Sequence, residues 1–357
     1  FDNVDGINKG GLLLNDSEMI IAYEKNKIVT GHELRLMRTD FEKNIVWDIL
    51  IRDNGRFGHY STLSTLKDNI IIKGASDEIL VLDTDGNIIH SQSGALNDVI
   101  ISENEEYFYV HDPYECNANE DICDRFRKYS STSFNQTQVF EVDFEGDGGN
   151  QSSSVKMIYA DSDSYYFIYQ SRFVKTDHNL EPIWATNGSL FAQHGFFGDY
   201  SFLKTPSNDF LFSGKYGNGM GIMKFDSDGN ILIPPTEILN NYPVDAGIPK
   251  VPLIVDDNED IIILYSHNLI VKYDSSLNEI SKSNYNGDNL YIISLNNSPY
   301  SYYQFEGTSS YEHRDLSYFI LKNSLNELIF GGKTNKRLDQ NTSSNSHDTL
   351  FKSNVFD

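Results

Sequence analysis

Three aspartates, Asp98, Asp199 and Asp315, each stand just ahead of an apolar segment, and carboxylates brought together in this way could act as acid and base in glycoside cleavage or lysis. Residues suited to holding a ligand occur at comparable places: His59, Tyr60, Arg172, Tyr200, Tyr216 and His267. Tyrosine rings pack on sugar C–H faces and peptide side chains, and the charged and imidazole groups bond hydroxyls and amides. Every one of these positions also reads as an ordinary solvated loop residue. No G-x-S-x-G, phosphate-binding loop or metal triad accompanies them, and the nine histidines are scattered. The pattern favours binding over catalysis, with a glycoside hydrolase or polysaccharide lyase as the alternative.

Two cysteines, Cys116 and Cys123, lie in the polar stretch HDPYECNANEDICDRF, where a disulfide is expected to close a small loop in an oxidising compartment. Two reduced thiols are the other reading. With His111 the only nearby imidazole, the pair is too small a donor set for a structural zinc site. Asp83-Thr84-Asp85-Gly86-Asn87 and Asp226-Ser227-Asp228-Gly229-Asn230 have the oxygen density of calcium loops but lack the later bidentate Glu. They read as β-turns first and calcium sites second, and no other cofactor is indicated.

Against 28 Lys and Arg stand 52 Asp and Glu, a net charge of −24 that repels phosphate backbones and anionic membrane surfaces. No apolar run reaches the roughly twenty residues that span a bilayer. The first residue is Phe1, with no basic and apolar leader after it, so a processed or excised segment of a larger or exported protein is expected.

The elements that must position these residues follow from a repeat. An apolar strand ends in Asp, a polar turn follows, and a second strand begins: LRLMRTDFEKNIVW, ILVLDTDGNII, VFEVDFEGDG, FVKTDHNLEPIW, IMKFDSDGNIL and IVKYDSSLNEI. The aspartates are Asp40, Asp83, Asp143, Asp177, Asp226 and Asp274, and their spacing of 34 to 60 residues brackets one four-stranded unit. Asp bonds backbone N–H groups further along a turn, and Gly or Asn tolerates the left-handed residue that closes a hairpin. Ahead of each hairpin lies a shorter strand, in the versions SEMIIAY, DNIIIKG, EEYFYVH, SYYFIYQ, NDFLFSGK, EDIIILY and, near the C-terminus, NELIFGGK. Helical periodicity is lacking, and aromatic and β-branched residues suit pleated sheets.

This predicts an all-β chain folded as a single β-propeller across residues 1–357, with seven four-stranded blades and eight as the alternative count. Loop insertions are expected near 111–136 and 284–315. The N-terminal FDNVDGI is expected to supply the missing outer strand of the last blade, closing the ring by pairing of the chain ends.

The repeats resemble the propeller modules of exported Bacteroidetes-type bacterial surface proteins, whose pattern runs D-G-G-x-I-I-x-G and then K-x-D-x-x-G-N-x-x-W. Asn208 to Leu232 carries the fullest match, and Arg38 to Trp47 and Lys175 to Trp184 match its second half. Gly-His to Trp-Asp pairing, the S-x-D-x-G-x-x-W box and a tryptophan-docking pattern are not apparent. The resemblance implies an extracellular or cell-surface protein. Its expected role is recognition of a glycan or protein partner through the variable loops on one face of the ring, with a spacer in a surface adhesin or filament as a third reading.

Overall fold

The computed structural model describes residues 6–26, 32–41, 44–53, 62–73, 78–94, 98–112, 114–115, 122–142, 155–169, 172–186, 197–216, 219–239, 253–265, 269–284, 316–322, 328–334 and 347–353. The chain is an all-β propeller in which every described sheet is antiparallel and each blade runs outward in chain order. Blade 1 comprises β1 (Gly6–Leu13), β2 (Glu18–Asn26), β3 (His32–Asp40) and β4 (Ile45–Asp53). Blade 2 comprises β5 (Thr62–Leu66), β6 (Asn69–Lys73), β7 (Glu78–Leu82) and β8 (Ile88–Ser93). In blade 3, β9 (Val99–Ile101), β10 (Tyr107–His111), β12 (Ile122–Ser130) and β13 (Gln136–Val142) are joined by a two-residue strand β11 (Tyr114–Glu115) that pairs with β12 beyond the end of β10. Blade 4 contains β14 (Lys156–Ala160), β15 (Ser164–Tyr169), β16 (Arg172–Asp177) and β17 (Pro182–Ala185). Blade 5 contains β18 (Phe197–Lys204), β19 (Phe210–Tyr216), β20 (Gly219–Phe225) and β21 (Ile231–Leu239). Blade 6 contains β22 (Leu253–Val255), β23 (Ile261–Tyr265), β24 (Leu269–Tyr273) and β25 (Glu279–Asn284). A last sheet holds three strands, β26 (Leu316–Lys322), β27 (Leu328–Thr334) and β28 (His347–Ser353).

The core lies between blades rather than within them. Strand β6 shows why: Ile70 and Ile72 pack with Ile20, Leu34 and Leu36 of blade 1, while Ile71 packs with Val99, Phe108 and Val110 of blade 3. A middle strand is therefore covered on both faces, which is why it reads as an unbroken apolar run and not as an alternation. Full burial of one such Ile side chain contributes about 2 kcal/mol of transfer free energy. The seam between blades 3 and 4 is built around Phe126, Phe140, Tyr165 and Phe167, and that between blades 4 and 5 around Phe173, Phe210, Phe212 and Phe225.

The hairpins between the third and outer strands explain the repeat. Asp83 Oδ1 accepts the N–H of Asn87 at 2.8 Å and Oδ2 accepts its side-chain amide at 2.9 Å. The same bonds recur from Asp40 to Asn44, Asp226 to Asn230 and Asp274 to Asn278. Asp177 accepts the N–H of Glu181 at 2.9 Å. Blade 3 departs from the expected register, because Val139 to Val142 belong to its outer strand and its hairpin runs from Ser130 to Asn135. With Ser130 in place of Asp143 the turns fall 43, 47, 47, 49 and 48 residues apart, at positions 40, 83, 130, 177, 226 and 274. Ser130 Oγ accepts the N–H groups of Thr132 and Ser133, as a hydroxyl can do more weakly than a carboxylate.

The basic residue two before the turn aspartate also has a fixed role. Arg38 pairs with Glu18 at 2.9 Å, Lys224 with Asp209 at 2.9 Å and Lys272 with Asp260 at 2.7 Å, each time joining the third strand to the turn that opens the second. Contrary to the sequence reading, tryptophans do dock between blades. Trp47 donates its indole N–H to the Thr84 carbonyl of blade 2 at 3.0 Å, and Trp184 donates to the Ser227 carbonyl of blade 5 at 3.1 Å. Each ring lies over the turn glycine of the following blade: a Cβ on Gly86 would sit 3.3 Å from Trp47, and one on Gly229 2.7 Å from Trp184. Where the left-handed turn residue is large, as at Phe134, Leu180 and Leu277, that side chain itself packs into the seam. Trp with Gly and a large residue at the turn are two ways of filling the same wedge.

Two expectations about closure are corrected. Six blades have four strands or more, and the last sheet has three, so the described residues do not contain seven four-stranded blades. Among the described residues of the N-terminal segment, Gly6 and Ile7 belong to β1, the innermost strand of blade 1, which is hydrogen-bonded to β2 and not to the C-terminal sheet. Residues 1–5 lie outside the described residues. β1 packs beside β26, β27 and β28, so the two ends of the ring meet by packing and not by a shared ladder.

Candidate binding surface

Two faces result from this architecture. One carries the turns opening the second and outer strands, and the other carries the connections between second and third strands and between blades. On the turn face the carboxylates are spent on the fold. Asp83 and Asp226 use both oxygens inside their own turns, and Asp256 accepts Lys272 at 3.1 Å and the N–H groups of Asn258 and Asp260. Among the described residues no group of three or more His, Cys, Asp and Glu side chains is placed to hold a metal ion. The side-chain amide of Asn87 holds the Asp83 carboxyl below the usual carboxylate range, and that of Asn278 does the same for Asp274.

On the loop face one corner stands apart. At the end of β10, where blade 2 has Lys73 and Gly74 in sequence, blade 3 has His111 and Asp112, and β12 opposite carries Asp124, Arg125 and Arg127. His111 Nε2 lies 2.7 Å from Asp124 Oδ1, both side chains are buried, and the imidazole stacks on Phe126 at 4.8 Å. Asp124 Oδ2 accepts the N–H of Val155 at 2.7 Å, so the pair ties blade 3 to the start of blade 4.

On the other side of the same sheet, buried Asp112 accepts two guanidinium groups. Its Oδ2 receives Arg125 Nε at 2.9 Å and Arg127 Nε at 2.7 Å, and their Nη2 atoms lie at 2.5 Å. Burial disfavours the charged Arg127, but hydrogen bonding and charge attraction to Asp112, with Tyr129, together hold its guanidinium above the ordinary value. Arg125 lies 4.4 Å over the Tyr114 ring, whose hydroxyl donates to Glu141 at 2.5 Å. That carboxylate pushes the Tyr114 phenol upward. The network joins β10, β11, β12 and β13, and its arginines are partly exposed, at 25% and 32% of the side chain. It holds the β11–β12 hairpin upright beyond the body of the blade.

The residues expected to form the site are placed as follows. Arg172 is exposed at the start of β16. Tyr216 ends β19 and packs against the seam of blades 4 and 5, so its ring is partly committed to the core. Asp98 precedes β9 and its carbonyl accepts the His111 N–H at 3.0 Å. Asp199 and Tyr200 lie in β18, where the register shifts between Phe197 and Tyr200. His59, Tyr60, His267, Asp315 and Cys116 lie outside the described residues. Cys123 stands opposite Tyr114 in the β11–β12 ladder. With Asp315 and the Asp199 side chain outside what is described, the three aspartates are not placed relative to one another. The residues that the structure does unite are His111, Asp112, Asp124, Arg125 and Arg127, which flank the cysteines, and their signal was the charged run DRFRK at the start of β12.

The fold and this corner define a β-propeller with an extended, polar hairpin on one face. No family model matches the sequence, and no curated protein sequence matches it. Solved structures do. The WD40 domain of Neurospora crassa Pan2 superposes with a TM-score of 0.53 at 9% identity, over 98% of this chain and 88% of that one. Pyrococcus horikoshii acylaminoacyl peptidase gives 0.56 at 9% identity, over 99% of this chain and 52% of that one. Chaetomium thermophilum Raptor gives 0.56 at 10%, over 98% of this chain and 30% of that one. Identities this low show a shared propeller fold alone.

Proposed function

We propose that this chain is a binding propeller that recognises a protein partner through its loop face, with the β11–β12 hairpin of blade 3 as the principal contact. The observation that carries this reading is the Asp112–Arg125–Arg127–Tyr114–Glu141 network, which preorganises the polar β11–β12 hairpin beyond the end of β10. Preorganisation lowers the entropy lost on association, and partly exposed Arg and Tyr are favoured contact residues. His59, Tyr60, Arg172, Tyr200, Tyr216 and His267 would extend the same surface, and a glycan remains the alternative ligand. Location outside the cytoplasm is supported by the resemblance of the repeats to exported modules and by Cys116 and Cys123 flanking the hairpin, where a disulfide would stiffen it. The three-stranded sheet occupies the seventh blade position.

Peptide and glycan arrays probed with the native chain and with Arg125→Ala and Arg127→Ala test this. The expected result is binding to peptide features that falls at least tenfold in both variants, with circular dichroism unchanged. Silence on the arrays combined with turnover of a polysaccharide would replace this reading with the hydrolase or lyase.

A further inference from the structure

The cation two residues before each turn residue has a partner dictated by the ladder. Opposite the turn residue stands Glu18 in blade 1, and Asp209 and Asp260 hold the same place just ahead of β19 and β23. These carboxylates take Arg38 at 2.9 Å, Lys224 at 2.9 Å and Lys272 at 2.7 Å. Blade 2 lacks both members, with Val81 in the cation position and Asn69 in the acid position. Blades 3 and 4 keep the cation without the acid: Tyr107 stands opposite Ser130, and Ser164 opposite Asp177. Lys128 and Lys175 enter none of the ion pairs among the described residues and lie over tyrosine rings instead. Lys128 Nζ is 3.9 Å from the Tyr107 centroid and 5.7 Å from that of Tyr109, whereas Lys175 Nζ has a single ring, Tyr166, at 5.2 Å.

The surroundings of Lys128 offer no substitute for the missing acid. Tyr109 faces the seam with blade 4, where it meets Tyr165 at 5.4 Å, and Tyr165 meets His178 at 4.7 Å. Asp161 of blade 4 is committed, since Oδ1 accepts the N–H groups of Asp163 and Ser164 and Oδ2 accepts the Tyr166 hydroxyl. A ring face attracts an ammonium but accepts none of its N–H bonds in the way that the water it displaces would. Burial accordingly lowers Lys128 below the ordinary lysine value, with the charge of Glu106 acting the other way. Burial also disfavours the charged Lys224 and Lys272, but hydrogen bonding and charge attraction to Asp209 and Glu259, and to Asp260 and Asp256, hold these two above the ordinary value.

We propose that Lys128, left over tyrosine rings where other blades supply a carboxylate, is a covalent modification site that takes up a small, neutral aldehyde as an imine. The neutral Nζ attacks the carbonyl carbon, and a C–N bond forms as the carbonyl π pair moves to oxygen. The carbinolamine then loses that oxygen with both amine protons as water, leaving a C=N bond, and no oxidant or reductant is consumed. A small reagent suits a partly buried amine, and a neutral one suits a chain of net charge −24.

Reductive trapping on the full chain tests this, with limiting glyceraldehyde and cyanoborohydride near neutral pH and peptide mass spectrometry to read the label on each lysine. Lys128 is expected to be labelled at least tenfold faster than Lys224 and Lys272. Tyr107→Glu restores an acid opposite the turn, as in blade 1, and should cut the rate at Lys128 at least tenfold. Tyr107→Phe keeps the ring and should leave that rate within about twofold. Circular dichroism checks that the variants fold. Should Tyr107→Glu not fold, Glu106→Gln is the second arm: removal of the opposing charge should raise the rate at Lys128 and leave Lys224 and Lys272 unchanged. The proposal is overturned if Lys128 reacts no faster than Lys224 and Lys272. It is equally overturned if a folded Tyr107→Glu is labelled as fast as the native chain, or if Glu106→Gln leaves Lys128 unaltered.

Discussion

At the scale of single residues, the turn aspartates are the most constrained carboxylates of this acidic chain. Asp83, Asp177, Asp226 and Asp274 are all held below the ordinary carboxylate value by N–H donors of their own turns. A depressed folded-state value means that their contribution is complete above the unfolded value, about 3.9, and is lost as the pH falls through the lower folded one. The melting temperature should thus be flat between pH 7 and 5 and drop below about pH 4, with a shallower drop after all four are changed to Asn. Thermal melts across that range would contradict this if they stayed level to pH 3. The His111–Asp124 pair should behave differently, because both partners are buried. Asp124→Ala leaves an imidazole and the Val155 N–H without their acceptor and should cost about 3 kcal/mol in urea unfolding. Glu78→Ala, which breaks the exposed pair with Arg52, should stay within about 0.5 kcal/mol.

At the scale of elements, the seams between blades decide stability. Gly229 has φ +83°, and an added methyl would meet Trp184 at 2.7 Å, so Gly229→Ala combines backbone strain with a clash and should cost about 2 kcal/mol or more. Trp184→Ala should cost about 2 kcal/mol by emptying the wedge. The double variant should cost less than the sum, because the methyl then has room; strictly additive values would show that the two do not share a space. Much of this was readable beforehand. The second strand of every blade was found from its apolar run, since coverage on both faces leaves no alternation to lose. The turn of blade 3 was misplaced at Asp143 because Ser130 performs the aspartate's task with a weaker acceptor and one more turn residue, so that the motif is chemically present but spelled differently. Tryptophan docking was missed for a related reason: a Trp in one repeat is matched by a glycine some forty residues later, and only adjacency in space makes them a pair.

At the scale of the whole molecule, the ring separates structural from available chemistry. The turn face carries most of the visible motif, yet its turn aspartates are bonded within their own turns, and Lys224 and Lys272 are paired with neighbouring carboxylates. The loop face carries a corner that no repeat specifies, and binding is argued from that departure. A salt series should separate the two: binding to the blade 3 hairpin should weaken with ionic strength, whereas the melting temperature should change little, since the seams are apolar. Equal sensitivity of both would argue against this division.

The sequence by itself determined the blade: a strand closed by Asp and Asn and a four-strand period. These are local matters, fixed by backbone geometry and by the acceptors within a few residues of each other. Tertiary structure decided which polar groups are used up and which remain open. Asp112, Arg125 and Arg127 are partners by position, which their residue types alone did not reveal. Residues 13 to 15 apart in the chain meet across an antiparallel ladder, because the chain turns back on itself between β10 and β12.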